Sequence, residues 1–154
     1  MKSASVPALG VLSSANSQVW TRSYDGYGNV TEFYEPEIRT HVTYDRTGSA
    51  PTRVDYAYQT AQQRSWGYFW NVGAGTLNSK TDLDNNVTTT YIYDTVGRPL
   101  ITDEAGLRKT ETVYDDLNLI VTVKKDLNAY GDGKLQVSTQ YDQLGRAVLA
   151  RSRR

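Results

Sequence analysis

The sequence predicts an all-β protein, built of consecutive antiparallel β-hairpins that form one twisted, curved sheet. Three observations carry this. A unit of Tyr-Asp, two further residues and usually Gly recurs along the chain. Runs of β-branched and aromatic residues flank the copies, Val87-Thr88-Thr89-Thr90-Tyr91-Ile92-Tyr93 among them, and no stretch shows a helical period. Tyrosine dominates the apolar residues, with 12 Tyr against one Met and two Phe. A Tyr offers apolar area together with a hydroxyl that wants a partner, which suits a half-buried sheet face.

The copies begin at Tyr24-Asp25-Gly26-Tyr27-Gly28, Tyr44-Asp45-Arg46-Thr47-Gly48 and Tyr93-Asp94-Thr95-Val96-Gly97-Arg98. They continue at Tyr114-Asp115-Asp116-Leu117-Asn118 and Tyr141-Asp142-Gln143-Leu144-Gly145-Arg146. The tyrosines are spaced by 20, 49, 21 and 27 residues. Periods of about 20 residues belong to repeat architectures. Each copy reads as a strand, a tight turn and a return strand. The Asp carboxylate accepts a hydrogen bond from the backbone two residues on. The fifth position, Gly in four copies and Asn118 in the other, is expected in the left-handed region, which Gly and Asn tolerate. A second class of turn joins the hairpins, at Asp82-Leu83-Asp84-Asn85-Asn86 and Asp103-Glu104-Ala105-Gly106. Residues 1–18 read as a loose terminal segment and 19–154 as the sheet domain, with an irregular insertion at about 60–77.

Composition limits the function classes. The 17 basic and 17 acidic residues balance, so the basic excess of a nucleic-acid binder is missing. The tail Arg151-Ser152-Arg153-Arg154 reads as a solvated end. The chain has no Cys, which removes disulfides, thiolate nucleophiles and cysteine-ligated zinc. No apolar run approaches the roughly 20 residues of a membrane span. The stretch Val6 to Leu12 is broken by Pro7 and Gly10 and does not read as a signal peptide.

The five copies resemble the RHS/YD-repeat family, whose unit is Tyr-Asp-x-x-Gly-Arg followed by about fifteen more residues. The Tyr93 and Tyr141 copies match fully, through Arg98 and Arg146. The Tyr24 copy carries the Asn variant at Asn29, the Tyr44 copy has Ser49 there, and the Tyr114 copy lacks the Gly. The resemblance implies a wall segment of a hollow β-shell enclosing a toxic or signalling C-terminal cargo. Such shells occur in polymorphic toxins, in the cocoon of insecticidal toxin complexes and in teneurin-like proteins. It also implies a secreted or cell-surface setting within a larger protein. The expected partners are further repeats of a longer chain, copies of this chain through its sheet edges, and an enclosed polypeptide. Self-cleaving members use an Asp-Pro motif; none occurs here, so that activity is not carried over.

The remaining candidates for chemistry have structural readings. His41, the one histidine, lies between strand-type neighbours and reads as a strand side chain. Asp25, Asp45, Asp94, Asp115 and Asp142 share one repeat position, which points to turn formation and away from paired-carboxylate catalysis. Asp82-Leu83-Asp84-Asn85-Asn86 opens like a calcium loop, but Val87 and Tyr93 stand where that loop needs Gly and Glu. Gly73-Ala74-Gly75 is too short to cradle phosphate. No catalytic residue, metal or cofactor is therefore expected. Trp66-Gly67-Tyr68-Phe69-Trp70, if extended, places Trp66, Tyr68 and Trp70 on one face, where they are candidates for carbohydrate or partner contact. The expected sheet edges lie near Val19 to Tyr24 and near Ala147 to Arg151.

Overall fold

The computed structural model describes the backbone of Ser3–Ala4 and all of residues 20–154. Among the described residues there is no helix, so none is long and apolar enough to cross a membrane. Two compact units divide the chain, and within each the paired strands follow one another as antiparallel neighbours in chain order. One holds the described residues up to Gly75 together with Thr81–Asn86, and the other holds Thr76–Lys80 and Val87–Arg154.

The first unit contains β1 (Ser3–Ala4), β2 (Thr21–Tyr24), β3 (Val30–Tyr34), β4 (Arg39–Tyr44), β5 (Pro51–Tyr56) and β6 (Arg64–Asn71). Strand β7 (Thr76–Asp82) contributes to both units. The second unit contains β8 (Val87–Tyr93), β9 (Pro99–Glu104), β10 (Arg108–Asp115), β11 (Ile120–Lys125), β12 (Leu135–Tyr141) and β13 (Ala147–Arg153). In the second unit each pairing is antiparallel, from β8 with β9 to β12 with β13. These are the consecutive hairpins that the β-branched and aromatic runs and the repeated turns predict.

Two expectations need correction. The supposed irregular insertion at 60–77 is mostly regular: strand β6 and the start of β7 occupy it, joined by a turn over residues 72–75. Aromatic residues gave β6 its strand character, and the missing Tyr-Asp hid its turn. The expected edge near Val19 to Tyr24 is covered in part, since β1 pairs Ser3 with Ser23 and Ala4 with Arg22. The rest of the expected loose segment 1–18 lies outside the described residues.

The packing is that of a single layer. Among the described residues only Ala50 and Ala57 are buried hydrophobics, and no large side chain is fully buried. The second unit contains no buried residue at all. Stability must therefore rest on backbone ladders, cross-strand side-chain pairs and turn hydrogen bonds.

The fourth copy of the motif, at Tyr114, departs from the others. Asn118 does not hold the positive φ expected of it; Leu119 does, at φ 55. The reason is a change of turn. Asp115 pairs directly with Ile120 with no register shift, leaving four loop residues between them. The Asp115 carboxylate then accepts the Asn118 amide at 3.0 Å and the Asn118 side-chain amide at 2.8 Å. Asp82 and Asn85 repeat this at 3.1 and 2.8 Å, with Asn86 at φ 54. A leucine in the left-handed region costs about 1–2 kcal/mol, of which glycine's greater unfolded-state freedom offsets part. Leu119→Gly is accordingly expected to stabilise the protein by about 0.5–1 kcal/mol. Urea denaturation checks this; an unchanged or lower midpoint would contradict the assignment of strain to Leu119.

Candidate functional site

The repeated turns carry the same hydrogen bonds from copy to copy. At Asp25, Asp94 and Asp142 the backbone N–H donates to the carbonyl four residues on, at 3.0, 2.9 and 2.9 Å. At Asp45 it reaches Ala50 instead, at 2.9 Å, because that turn is one residue longer. In return the N–H of Gly28, Gly48, Gly97 and Gly145 donates to the carbonyl of the same Asp. These glycines lie at φ 89, 70, 86 and 75. In all four the register shifts at the preceding tyrosine, Tyr24, Tyr44, Tyr93 or Tyr141. A left-handed glycine closing a tight turn and a one-residue bulge is the glycine-bulge form of hairpin loop.

The carboxylate holds each turn shut. Oδ1 of Asp94 accepts the Val96 and Arg98 amides at 3.0 and 2.8 Å, and Oδ1 of Asp142 accepts those of Leu144 and Arg146, both at 2.9 Å. Asp25 does the same with Tyr27 and Asn29. The Asp142 carboxyl is held below the usual carboxylate range, first by the Arg146 amide and next by its guanidinium. Burial pushes the Asp94 carboxyl up, but the Arg98 guanidinium and amide outweigh it and leave it lowered.

The tyrosine of the motif ties one hairpin to the one before. Tyr44 Oη donates to the Val30 carbonyl at 3.3 Å, Tyr93 to Leu77 at 3.1 Å, and Tyr114 to Pro99 at 3.1 Å. Each acceptor is the first or second residue of the preceding return strand. Trp70 Nε1 makes the matching bond to the Pro51 carbonyl, at 2.8 Å. Asn71 follows it in the place of Asp, with its side chain accepting the Ala74 amide, and Gly75 has φ 66. Trp70-Asn71 is thus a sixth copy that residue matching missed; Gly75, one place later than the glycine of the other copies, was the available signal. Tyr93→Phe and Tyr114→Phe are each expected to cost about 1 kcal/mol, the worth of one hydrogen bond. Chemical denaturation of the two single variants checks this, and wild-type midpoints for both would remove the staple.

A second tie runs along the turns. Asn29 Nδ2 donates to its own Asp25 at 3.1 Å and to the Gly48 carbonyl of the next turn at 2.8 Å. Arg98 does more: Nε bonds Asp94 at 2.6 Å, while Nη1 and Nη2 take both Asp116 oxygens at 2.6 and 3.0 Å. Its guanidinium lies 4.2 Å from the Tyr114 ring centre. This forked, stacked geometry is one arginine supplies and lysine does not.

The first unit also holds a polar row that sequence reasoning missed. Cross-strand pairing aligns Glu32, His41, Asp55 and Ser65 on β3, β4, β5 and β6. Asp55 is 3% exposed and accepts the Ser65 hydroxyl at 2.6 Å and Arg53 Nε at 2.8 Å. His41 Nδ1 stands 3.7 Å from the Asp55 carboxylate, and its ring stacks on Tyr58 with centres 4.7 Å apart. The residue types of a hydrolase triad are adjacent here, but the hydroxyl proton is directed at the carboxylate and not at the imidazole. That arrangement does not prepare a serine nucleophile. Only strand register brings these four residues together, so their separation in sequence hid them.

The other candidates take structural places. The Asp82 carboxylate is turned onto the amides of Asp84 and Asn85 and onto Arg64. Trp66, Tyr68 and Trp70 alternate with Gly67 and Phe69 along β6; the three are half-buried, whereas Phe69 is 65% exposed.

A scan against protein-family models and a search of curated proteins give no match. A solved structure, that of TcdB2-TccC3, superposes with a TM-score of 0.69 over 88% of this chain at 15% identity. The two share a fold. The chain spans 7% of the length of TcdB2-TccC3.

Proposed function

We propose that this chain is a wall segment of a hollow β-shell that encloses a toxic or signalling polypeptide. The observation that carries the reading is the pair of repeated ties, tyrosine to the preceding return strand and Asn29 or Arg98 to the next turn. Such ties let hairpins be added one after another without a hydrophobic core, which is what a one-layer wall requires. The likeness in fold to TcdB2-TccC3 supports the same reading. With it go a secreted or cell-surface setting and neighbouring repeats, or copies of the chain, as partners. Electron microscopy of the chain in its native polypeptide tests this: a closed hollow particle is expected, and a solid or filamentous one would overturn it.

The chain acts in this reading as scaffold and not as enzyme, consistent with the direction of the Ser65 hydroxyl. A hydrolase screen is expected to show no turnover; activity abolished by His41→Ala or Ser65→Ala would reverse that. Carbohydrate binding through Trp66, Tyr68 and Trp70 is the weaker reading, because Trp70 spends its indole N–H on the Pro51 carbonyl. A glycan screen with wild type and Trp66→Ala separates the two.

A further inference from the structure

We infer that a groove on one face of the second unit binds a sugar ring that carries a single carboxylate. The groove is a product of strand register. Tyr91, Thr102, Thr110 and Lys125 are successive cross-strand partners on β8, β9, β10 and β11. Thr89, Glu104 and Arg108 form a second row, two residues away along β8, β9 and β10. Residues two apart on a strand share a face, so both rows stand on one side of the unit. Together they line a depression of about 390 Å³, within the size of small-ligand clefts, roughly 300–1,000 Å³.

The groove holds hydrogen-bonding capacity that the fold has not spent. Elsewhere in the unit the polar side chains serve the repeat itself: Tyr93 and Tyr114 donate to carbonyls, and Arg98 closes its fork on Asp116. Among the described residues, the hydroxyls of Tyr91, Thr89, Thr102 and Thr110 and the Lys125 ammonium bond no protein group, and none of these atoms is sealed from solvent. Arg108 gives Nε to Glu104, while its two terminal nitrogens reach no acceptor and its side chain is 78% exposed. The tyrosine and the three threonines are half-buried and form the floor, and Arg108 and Lys125 form an exposed rim. Burial raises the Tyr91 phenol above its ordinary value, which keeps it a neutral donor.

Charge and chemistry select the occupant. Arg108 and Lys125 bring two positive charges and Glu104 one negative, so one positive charge is left for the ligand to balance. A carboxylate matches it and takes two parallel bonds from a guanidinium fork. A phosphate dianion would overshoot it. Hydroxyls that both donate and accept suit the hydroxyls of a sugar ring. An apolar ligand would strip these groups of water and give nothing back. The site belongs to the second unit, whereas Trp66, Tyr68 and Trp70 belong to the first, and it does not require the chain to wall a shell.

Titration of the whole chain, followed by nuclear magnetic resonance, tests the inference with glucuronic acid and N-acetylneuraminic acid as probes. Shifts are expected at the amides of Thr89, Tyr91, Thr102 and Thr110, with saturation transfer to the sugar protons; binding of either acid supports the site. Glucose and acetate, each with half of the recognised chemistry, should bind at least tenfold more weakly. Arg108→Gln and Lys125→Gln should each weaken the acid at least fivefold, with the amide spectrum away from the groove unchanged because both side chains are exposed. Thr102→Val, which keeps the shape and removes a hydroxyl, should weaken it as well. Failure of both acids to bind would overturn the inference. So would acetate or inorganic phosphate binding as tightly as the sugar acids, which marks general anion attraction, or glucose doing so, which removes the role of the cations. Shifts confined to β6 would overturn it too, by moving the binding to the aromatic strand.

Discussion

Gly97→Val is expected to lower the unfolding free energy by about 1–2 kcal/mol or more, the cost of placing an L side chain in the left-handed region. Gly97 has φ 86, and Gly145 at φ 75 should respond alike. A built Cβ meets nothing within 4 Å at either glycine, so the cost there comes from the backbone alone. Gly48 provides the contrast: at φ 70 its Cβ would also lie 2.5 Å from the Tyr27 ring. Gly48→Ala should therefore cost more than Gly97→Ala. Gly26, which carries no positive φ and has open space around it, is the control, and Gly26→Ala should be neutral or slightly stabilising. In a protein with so little buried surface, a loss of this size is a large share of total stability. Urea titrations of the four variants measure it; equal midpoints for Gly97→Val and wild type would mean that the turn relaxes at no cost.

Asp55→Ala is expected to destabilise by about 2–3 kcal/mol, because it leaves the buried Ser65 hydroxyl without its acceptor and removes a charged hydrogen-bond partner from Arg53. The Ser65 hydroxyl and Arg53 Nε both point at this carboxylate, and Gln63 Nε2 approaches it at 3.4 Å. Burial alone would raise the Asp55 carboxyl, yet the Ser65 hydroxyl, Arg53 and His41 bring it below its usual range. A group held lower when folded than when unfolded stabilises the fold above the unfolded value near 4 and loses that contribution as pH falls through the lower folded value. The stability difference between wild type and Asp55→Ala should thus be full near neutrality and shrink below about pH 4. Denaturation at pH 7 and pH 3 checks this. A difference that grows on acidification would show that Asp55 is protonated when folded.

The strands and turns were legible because their signals are local. Tyr-Asp followed by Gly states its own turn: the carboxylate meets amides two and four residues on, and only glycine takes the φ required at Gly28, Gly48, Gly97 and Gly145 without strain. Asn118 misled because the same residue type serves two turns. It tolerates the left-handed region, and it also donates a side-chain amide to Asp115, which is what it does here. Trp70-Asn71 went unseen because an indole N–H replaces a phenol and an amide replaces a carboxylate, which preserves the hydrogen bonds while changing the letters.

By itself, then, the sequence determined an all-β chain of successive hairpins, the position of most turns and the absence of cysteine chemistry. Period, composition and turn residues act within a few positions of one another, so they can be read in order along the chain. Only the tertiary structure decided what the motif side chains hold. Tyr114 reaches Pro99, Arg98 reaches Asp116 in another turn, and Asp55 meets Ser65 and His41 across neighbouring strands. These contacts depend on strand register and on the one-residue bulges that set it. A slip of one residue turns every side chain to the other face, so a pattern of residue types cannot fix the partners until the register is known.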